Sequence, residues 1–518
     1  MGTHPSLSSV RIRSLHFRCL ALLVVAGLPA AGANSFPTSS VLPSEVLHNL
    51  EAPAAPEHPW SPPDLGGFAS VLKLKAEPAA DTQLEYDLPA LIDLAESSNP
   101  ETKVAWDHAK AAAAAAGLAQ SEYYPVLALR ASGDSARAPV PLPLTPNAGG
   151  FMDVREQTFE PVAELEWVLL DFGRRQSGVA AAKNRLLAAN LGFNAQHEAI
   201  VFQVQGAFYE LTKVRGRIDV AQSSLASAVK VQEAAETRFR NGLATAPDVS
   251  LARQQAIQAA FELEEVQAKE RDAEVVLADR IGITPTVPLR VVDFSKLAIP
   301  TNLEDTVEQF IDRSLAQRPD LLAKVAILRE KEAEVRRAGT AYYPTLAFQG
   351  EGGGAFERSR LDVGGNSLPT DYTRQPTWGV GLALTWPLFD GSRKHKVELA
   401  KAERAAAEQD LNDARNQAVS QVWQTYTDTK LAIRRLDVAV ALVAASEKSY
   451  QQTFESYQNG LSSLVDVLTA RRELSQAHYA QLDTRATLLE STAALAFASG
   501  DLGPQLLKRT YRDTHTAP

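Results

Sequence analysis

The sequence RFRNGLATAPDV at residues 238–249 recurs in the second half of the chain as SYQNGLSSLVDV at residues 456–467. In each copy an Asn-Gly pair interrupts a long stretch rich in Ala, Gln and Glu, and an Asp-Val pair follows shortly afterwards. Glycine adopts left-handed backbone conformations without a Cβ penalty, so each Asn-Gly pair is predicted to end one helix and reverse the chain into another. The sequence therefore predicts two helical hairpins.

The duplication extends well beyond these turns. The segment 166–174 resembles the segment 385–393, and Tyr123-Tyr124-Pro125 recurs as Tyr342-Tyr343-Pro344. The offset is about 219 residues, so the repeating unit is half of the protein and not a short solenoid repeat. We expect the two halves to build one object.

The repeats divide the chain into six predicted segments. They are a signal peptide (1–33), a Pro-rich leader (34–84), a first repeat (85–282), a linker (283–302), a second repeat (303–500) and a tail (501–518). The first segment combines arginines, a short apolar run and a small-residue cleavage site, which is the pattern of a secretory signal; an uncleaved anchor is the alternative. After it, no apolar stretch approaches the roughly 20 residues of a membrane helix. The mature protein is thus either soluble or crosses a membrane as strands.

Composition argues against several classes of protein. The formal net charge of −10 gives no electrostatic reason to expect a nucleic-acid partner. The single cysteine, Cys19, excludes a disulfide framework and a cysteine-based metal site. The sequence also lacks a His-Glu-x-x-His pair, a phosphate-binding glycine loop and a nucleophile elbow. We therefore expect no enzymatic activity, no catalytic residue, no metal and no cofactor.

The helices of the hairpins are predicted to be unusually long. No proline lies between Gly173 and Asn241, a segment of about 67 residues that would measure roughly 100 Å as one helix. Apolar residues recur at every seventh position from Leu186 to Val214, with a companion seam from Val204 to Leu225, which is typical of a coiled coil. The segment 393–458 repeats the pattern with smaller side chains. Each hairpin returns through a helix of about 35 residues, and shorter helices near 88–120 and 303–338 are placed to stack beyond that arm.

Four runs of alternating apolar and polar residues precede the long helices or follow the Tyr-Tyr-Pro segments. They lie near residues 127–134, 159–169, 345–351 and 377–388. Period-two alternation fits a membrane strand with lipid on one face and water on the other, and equally a soluble two-sided sheet. In lipid, four strands would leave unpaired edges, so several chains would have to share one barrel. The segments 134–156 and 353–376 contain Pro, Gly and charge and are predicted to be surface loops.

These features together resemble the TolC-type outer-membrane efflux channel family. The resemblance covers about residues 85–500 and rests on the duplication, Asn99-Pro100-Glu101, the Tyr-Tyr-Pro segments, the Leu-Phe-Asp-Gly sequence at 388–391 and the segment 456–468. It implies a mixed α and β membrane protein with an internal two-fold repeat. Three chains would form a twelve-stranded β-barrel in the outer membrane of a Gram-negative-type bacterium, continued by a coiled-coil α-barrel tunnel across the periplasm.

The resemblance also implies a function and its partners. The trimer would be the exit channel of a tripartite efflux or type I secretion system. It would passively conduct substrates delivered by an inner-membrane pump and a periplasmic adaptor protein, with outer-membrane lipid around its strands. The alternative is a periplasmic coiled-coil scaffold without a pore.

The resemblance assigns roles to residues of both hairpins. Asp466 corresponds to an acidic ring residue at the tunnel entrance, Tyr457 to a residue of the network that keeps the entrance shut, and Asp248 is the first-repeat equivalent of Asp466. The turns Asn241-Gly242-Leu243 and Asn459-Gly460-Leu461 match tips that adaptor proteins contact. For the two aspartates helix capping is the alternative, and for Tyr457 plain packing is.

Three positions depart from the family pattern. Pro247 replaces a hydroxyl residue, Ser462 replaces an arginine, and Thr469 replaces a second ring aspartate. We therefore expect a different shut-state network and one acidic ring instead of two.

Overall fold

The computed structural model describes residues 85–141, 151–285, 289–292, 299–363 and 366–502. The predicted signal peptide, the Pro-rich leader and nearly all of the C-terminal tail lie outside these residues. The described residues all belong to one compact unit.

The helices are the same in number and order in the two described repeats. The first repeat contains α1 (Leu88–Ser98), α2 (Pro100–Ser121), α3 (Arg174–Arg240) and α4 (Ala246–Ile281). The second contains α5 (Val307–Gln317), α6 (Pro319–Gly339), α7 (Ser392–Gln458) and α8 (Leu464–Ser499). The long helices α3 and α7 have 67 residues each, and their return helices have 36 each. The predicted hairpins of unequal arms are confirmed.

The strands form one main sheet and one short pair. In chain order they are β1 (Glu85–Tyr86), β2 (Val126–Pro141), β3 (Phe151–Leu170), β4 (Arg290–Val291), β5 (Thr345–Val363), β6 (Asn366–Ser367) and β7 (Asp371–Thr385). The four long strands are antiparallel in the order β2-β3-β5-β7, while β6 pairs only with the end of β5. Strands β1 and β4 form a separate parallel pair. Within the described residues, β2 and β7 are therefore the open edges of the main sheet.

The strands extend further than the apolar alternation predicted. Much of the two segments expected to be loops, 134–156 and 353–376, continues the strands. The prediction was wrong because it required apolar residues, whereas polar side chains here pair across the ladder. The guanidinium of Arg137, for example, lies 2.5 Å from the carboxylate of Asp153, its diagonal neighbour on the adjacent strand.

The glycine run 352–354 also lies inside a strand, not at the beginning of a loop. A Cβ atom at Gly353 would lie 2.2 Å from the carbonyl oxygen of Pro161 on β3. Only glycine permits this close approach of two strands, so the position is fixed by packing and not by a need for a flexible turn.

Each return helix is continued end to end by a shorter helix. At Gly282, which ends α4 with φ +85°, a Cβ would lie 2.8 Å from the Cα of Asn99, the residue that caps α2. The Asn99 amide donates a hydrogen bond to the carbonyl of Arg280 (2.9 Å) and its side-chain oxygen accepts from the backbone of Glu101 (2.7 Å). Asn99 thus caps the end of one helix and the start of the next.

The second repeat makes the same junction with different chemistry. A Cβ at Gly500 would lie 3.1 Å from the backbone nitrogen of Arg318, and the Arg318 guanidinium donates to the carbonyl of Ala498 (3.4 Å). The prediction that the shorter helices stack beyond the short arms is confirmed for both repeats.

The helices lie side by side in the order α4, α3, α8, α7, and α2 and α6 extend the rows of α4 and α8. The predicted seams of α3 are buried in their middle, where Val204 and Leu211 are fully enclosed, and half-buried towards both ends, at Leu186 and Leu225. The largest core cluster joins Leu91, Phe208 and Leu277 from three helices of the first repeat. None of the described helices is long and apolar enough to cross a membrane.

Candidate functional site

Both predicted hairpin tips are exposed glycine turns. Gly242 and Gly460 have φ values of +73° and +78°. The Leu243 amide donates to the carbonyl of Arg238 and the Leu461 amide to that of Ser456, each at 2.8 Å, so both long helices end in the same hydrogen-bonded motif. The two leucines are 66 % and 83 % exposed, and the Asn241 and Asn459 side chains are exposed beside them. Contact of these tips with an adaptor stays a prediction.

Asp248 and Asp466 occupy identical positions in two capping boxes. The Asp466 carboxylate accepts hydrogen bonds from the Ser463 backbone (3.0 Å) and hydroxyl (2.6 Å), and the Asp466 amide donates back to that hydroxyl (3.2 Å). Asp248 makes the same contacts with Thr245. The capping alternative is therefore confirmed for both residues. Their proposed place in a ring around the tunnel stays a prediction.

The capping contacts keep both carboxylates charged. The Ser463 hydroxyl, followed by its backbone amide and the Ser462 hydroxyl, lowers the pKa of Asp466. Thr245 lowers the pKa of Asp248 in the same way, with help from the nearby positive charge of Arg238. The Asp466 side chain is exposed at the tip.

Tyr457 is buried under the tip of the second hairpin. It is 3 % exposed and packs in a cluster with Val231, Ala235, Ala252, Leu464, Val467 and Leu468. Its phenol has no hydrogen-bond partner within the described residues, and burial raises its pKa. The packing alternative is thus confirmed, and a role in the shut-state network stays a prediction.

The sequence did not point to Arg238, which links the two hairpins beside Tyr457. Its guanidinium donates to the backbone carbonyl of Tyr457 on α7 and to that of Leu243 (3.3 Å), and its Cζ lies 4.8 Å from the centre of the Tyr457 ring. A cation at the C-terminal end of α7 also stabilises the helix dipole. Ser462, where the family pattern has an arginine, contacts Asp466 instead.

A second polar link joins the hairpins further from the tip. Arg471 on α8 is 7 % exposed and donates to the hydroxyl of Ser224 on α3 (3.0 Å) and to Gln255 on α4 (3.5 Å). Ser475 adds a hydroxyl contact to Ser224 (3.0 Å). Burial lowers the pKa of Arg471, and within the described residues no carboxylate pairs with it. The hydrogen bonds to the guanidinium come from hydroxyl and amide groups, and the negative charge of Glu262 nearby partly offsets the effect of burial.

The sheet has two chemically distinct faces. The pairing register aligns Leu127 with Leu165 and Trp167 with Phe348 and Leu382, so one face is a broad exposed apolar surface. The opposite face carries the acidic side chains Asp134, Glu156, Glu160, Glu164, Glu166, Glu351, Glu357 and Asp371. The predicted alternation is confirmed, and it separates an apolar face from a strongly acidic one.

Matched hydrogen bonds join the two long strands of each repeat at the ends that lie next to the helices. The Trp167 indole donates to the carbonyl of Tyr123 (2.9 Å), and Trp386 donates to that of Tyr342 (3.2 Å). These pairs join the end of one strand to the Tyr-Tyr-Pro segment before its neighbour. The same contact is therefore made in both repeats.

This architecture is that of a known class of outer-membrane channel, and the chain belongs to the outer membrane efflux protein family, which matches residues 91–282 and 310–501. It is 28 % identical to protein CyaE of Bordetella pertussis, over 86 % of this chain and 90 % of that protein. It is 25 % identical to outer membrane protein OprJ of Pseudomonas aeruginosa, over 75 % of this chain and 78 % of the relative.

The fold is also that of a solved channel. The Campylobacter jejuni CmeC outer membrane channel superposes with a TM-score of 0.67 at 21 % identity, over 83 % of this chain and 90 % of CmeC. The family resemblance predicted from the sequence is confirmed. The chain is an outer-membrane protein with a channel fold.

Proposed function

We propose that the protein is the outer-membrane exit channel of a tripartite efflux or type I secretion system and works as a homotrimer. The observation that carries the proposal is that, within the residues the structure describes, both the sheet and the helical layer end in free edges on opposite sides of the chain. The edges are β2 with α4 on one side and β7 with α7 on the other.

Free edges of this kind require another copy of the chain. A strand edge in lipid leaves backbone groups without partners, which costs several kcal/mol for each group. Pairing β7 of one copy with β2 of the next removes both edges. The two edges differ, so the contact between copies is head-to-tail, and in the proposed trimer it closes into a ring. Three copies of the four long strands make a barrel of twelve.

The helices support the same closure. The outer edge of α4 exposes Ile257 and Phe261, and that of α7 exposes Val438 and Leu442. Apolar side chains on both edges match the needs of a neighbour-to-neighbour contact. The twelve long and return helices then continue the barrel as a tunnel into the periplasm.

The assembled channel conducts passively. The apolar face of the sheet turns to lipid and the acidic face to water, as in other membrane barrels. Substrates arrive from an inner-membrane pump through a periplasmic adaptor, which docks at the tips around Leu243 and Leu461. Three copies of Asp466 form an acidic collar at the entrance, and the contacts of Arg238 and Tyr457 hold the hairpins together when it is shut.

The proposal is tested on the detergent-purified protein. We expect its native mass to correspond to three chains, its extraction to require detergent, and its insertion into planar bilayers to give discrete conductance steps. A protein that dissolves without detergent and carries no current would be a periplasmic scaffold, and the channel proposal would be wrong.

A further inference from the structure

Five arginines form a cluster at the end of the sheet that lies far from the helices. Arg137, Arg155 and Arg360 are neighbours across β2, β3 and β5, and Arg358 and Arg374 lie close by on β5 and β7. The register places all five on the apolar face of the sheet. We call this set the arginine girdle.

The girdle begins where the apolar surface ends. On β3 the apolar positions of this face run from Leu169 to Phe159. Ten residues at about 3.4 Å each, tilted by about 40°, span roughly 25 Å, which is the height of the apolar band of membrane barrels. Gln157 and Arg155 are the next positions on the same face. The girdle therefore lies at headgroup depth, on the side of the membrane away from the tunnel.

The girdle carries an excess of positive charge. Among the described residues, the carboxylates on the same face at this level are Asp153 and Asp362, and both are only 21 % exposed. Asp153 pairs with Arg137, and Asp362 lies 3.8 Å from Arg155 and 3.6 Å from Arg360. The arginines are the more exposed partners, with Arg137 at 66 % and Arg155 at 52 %.

The two remaining arginines have no acidic partner. Within the described residues, neither Arg358 nor Arg374 lies within 4 Å of a carboxylate. The Arg358 guanidinium donates to Gln157 (3.3 Å) and lies 5.9 Å from the ring centre of Tyr372, while Arg374 lies 5.2 Å from that of Phe356. These contacts hold the guanidinium groups against the sheet and leave their charges without compensation.

The girdle also encloses a shallow depression. A hollow of about 360 Å³ is lined by Arg137, Arg155, Arg358 and Arg360 together with Gln157. Guanidinium groups bind phosphate oxygens through two parallel hydrogen bonds. Several such groups converging on one hollow form a suitable site for a phosphate carried by a larger molecule.

We propose that the arginine girdle binds the phosphate groups of phosphorylated lipid headgroups in the outer leaflet. The inference rests on the proposed function, because it requires the strands to span the membrane. A lipid fits better than free phosphate because the hollow adjoins the apolar band, where acyl chains would pack against Phe159 and Trp378. The acids on the opposite face would repel the same headgroups, so binding is confined to the lipid side.

The test compares phosphorylated and dephosphorylated lipid. The trimer is mixed in detergent with diphosphoryl lipid A or with the same lipid after removal of its phosphates, and bound lipid is counted by native mass spectrometry. We expect the wild type to prefer the phosphorylated lipid by about tenfold or more, since each lost charged hydrogen bond typically weakens binding about tenfold. The triple variant Arg155→Gln/Arg358→Gln/Arg374→Gln should lose this preference, and the corresponding triple lysine variant should recover part of it.

One control variant and three possible outcomes decide whether the proposal stands. Arg130→Gln removes one charge from the opposite face of the same sheet and should leave lipid preference unchanged. Equal binding of both lipids by an intact wild-type trimer overturns the girdle proposal. So does displacement of the lipid by inorganic phosphate at the same concentration, because the site would then bind free anions. The same spectra report the oligomeric state, so the absence of a trimer would count against the proposed function and not against the girdle alone.

Discussion

Asp248 and Asp466 show how one local motif can leave two residues with different electrostatic surroundings. Both cap the start of a return helix through a hydroxyl residue three positions earlier. The positive charge of Arg238 lies near Asp248 and lowers its pKa, whereas the contacts that lower the pKa of Asp466 come only from neutral serine groups. Asp466 therefore presents the less compensated negative charge.

Replacing Asp466 with asparagine should reduce the cation selectivity of the channel. Three carboxylates around a narrow axis attract cations, most strongly at low salt, and the amide keeps an oxygen for the cap. We expect the cation-to-anion permeability ratio to fall on the order of threefold and block by multivalent cations to weaken. The measurement is single-channel recording in asymmetric salt.

Asp248→Asn serves as the matched control, because it removes the same charge from the equivalent cap and should have the smaller effect. Selectivity that responds to Asp248→Asn alone would reverse the roles of the two repeats. If neither variant changes the current, both residues are caps and the selective constriction lies elsewhere.

Glu198 provides a test of stability against pH. Burial, followed by the nearby carboxylate of Asp320, raises its pKa from 4.5 to about 7, although Arg318 opposes the shift. The folded protein therefore favours the neutral acid. Below about pH 4.5 both states are protonated and no penalty exists; stability then falls as the pH rises to about 7, and the full penalty remains above it.

The variant Glu198→Gln should therefore be the more stable protein at pH 8, by on the order of 2 kcal/mol per chain, and the gain should shrink towards pH 5. Thermal unfolding midpoints at both pH values measure the effect, with the exposed Glu264→Gln as control. A gain of equal size at both pH values would show that Glu198 stays charged in the folded protein.

For single residues, the sequence predicted where a residue lies in the hairpin better than it predicted which side chains that residue contacts. The capping of Asp248 and Asp466 was foreseen as an alternative because a cap needs only local spacing. Arg238 and Arg471 were not foreseen, because their partners lie on the other hairpin and hydrogen-bond through backbone carbonyls and serine hydroxyls. Such partners leave no charge pattern in the sequence.

Among the elements, the turns at the tips have the strictest backbone requirement. Gly242 and Gly460 adopt a left-handed conformation that a β-branched residue reaches only at a cost of about 1–2 kcal/mol. The rest of each hairpin is long, and its packing offsets this cost in folding free energy. The tip geometry should therefore change before the fold is lost.

Gly460→Val and Gly242→Val should each abolish export in cells while trimers still reach the membrane. Complementation of a channel-deficient strain measures export, and native mass measures assembly. Leu461→Ser tests the exposed side chain without straining the turn, and Gly117→Val, at an open position on α2, is the control. Loss of the trimer in the tip variants would mean that these glycines serve mainly folding.

The long helices could be predicted because few structures other than a long helix fit an unbroken heptad pattern without proline. The strand ends were not, since the pattern changes from apolar to charged at Phe159 while the ladder continues. Cross-strand pairs such as Arg137 with Asp153 supply the partners there. The alternation of apolar residues therefore indicates the part of a strand that lies within the membrane, and it does not indicate how far the strand extends.

In the whole molecule, the two hairpins must separate at their tips if the entrance is to open. Arg238 and the polar link at Arg471 are two of the hydrogen-bonded contacts that join the hairpins near that end. Arg238→Gln should weaken the shut state and raise the resting conductance several-fold, on the order expected for losing one charged hydrogen bond in each chain. Planar-bilayer recording measures this, and Arg240→Gln is the control, because the Arg240 guanidinium donates a hydrogen bond to Thr237 of its own helix. An unchanged conductance would place the closing contacts between neighbouring chains.

The end-to-end junctions at Gly282 with Asn99 and at Gly500 with Arg318 restrict how the tunnel can change length during evolution. The long helices α3 and α7 run past these junctions without a break. An insertion of seven residues in one helix below the junction would shift its tip by about 10 Å against its neighbours. Surviving insertions and deletions should therefore occur in α3, α4, α7 and α8 together and at matching heights, so that relatives differ in tunnel length by whole helical repeats.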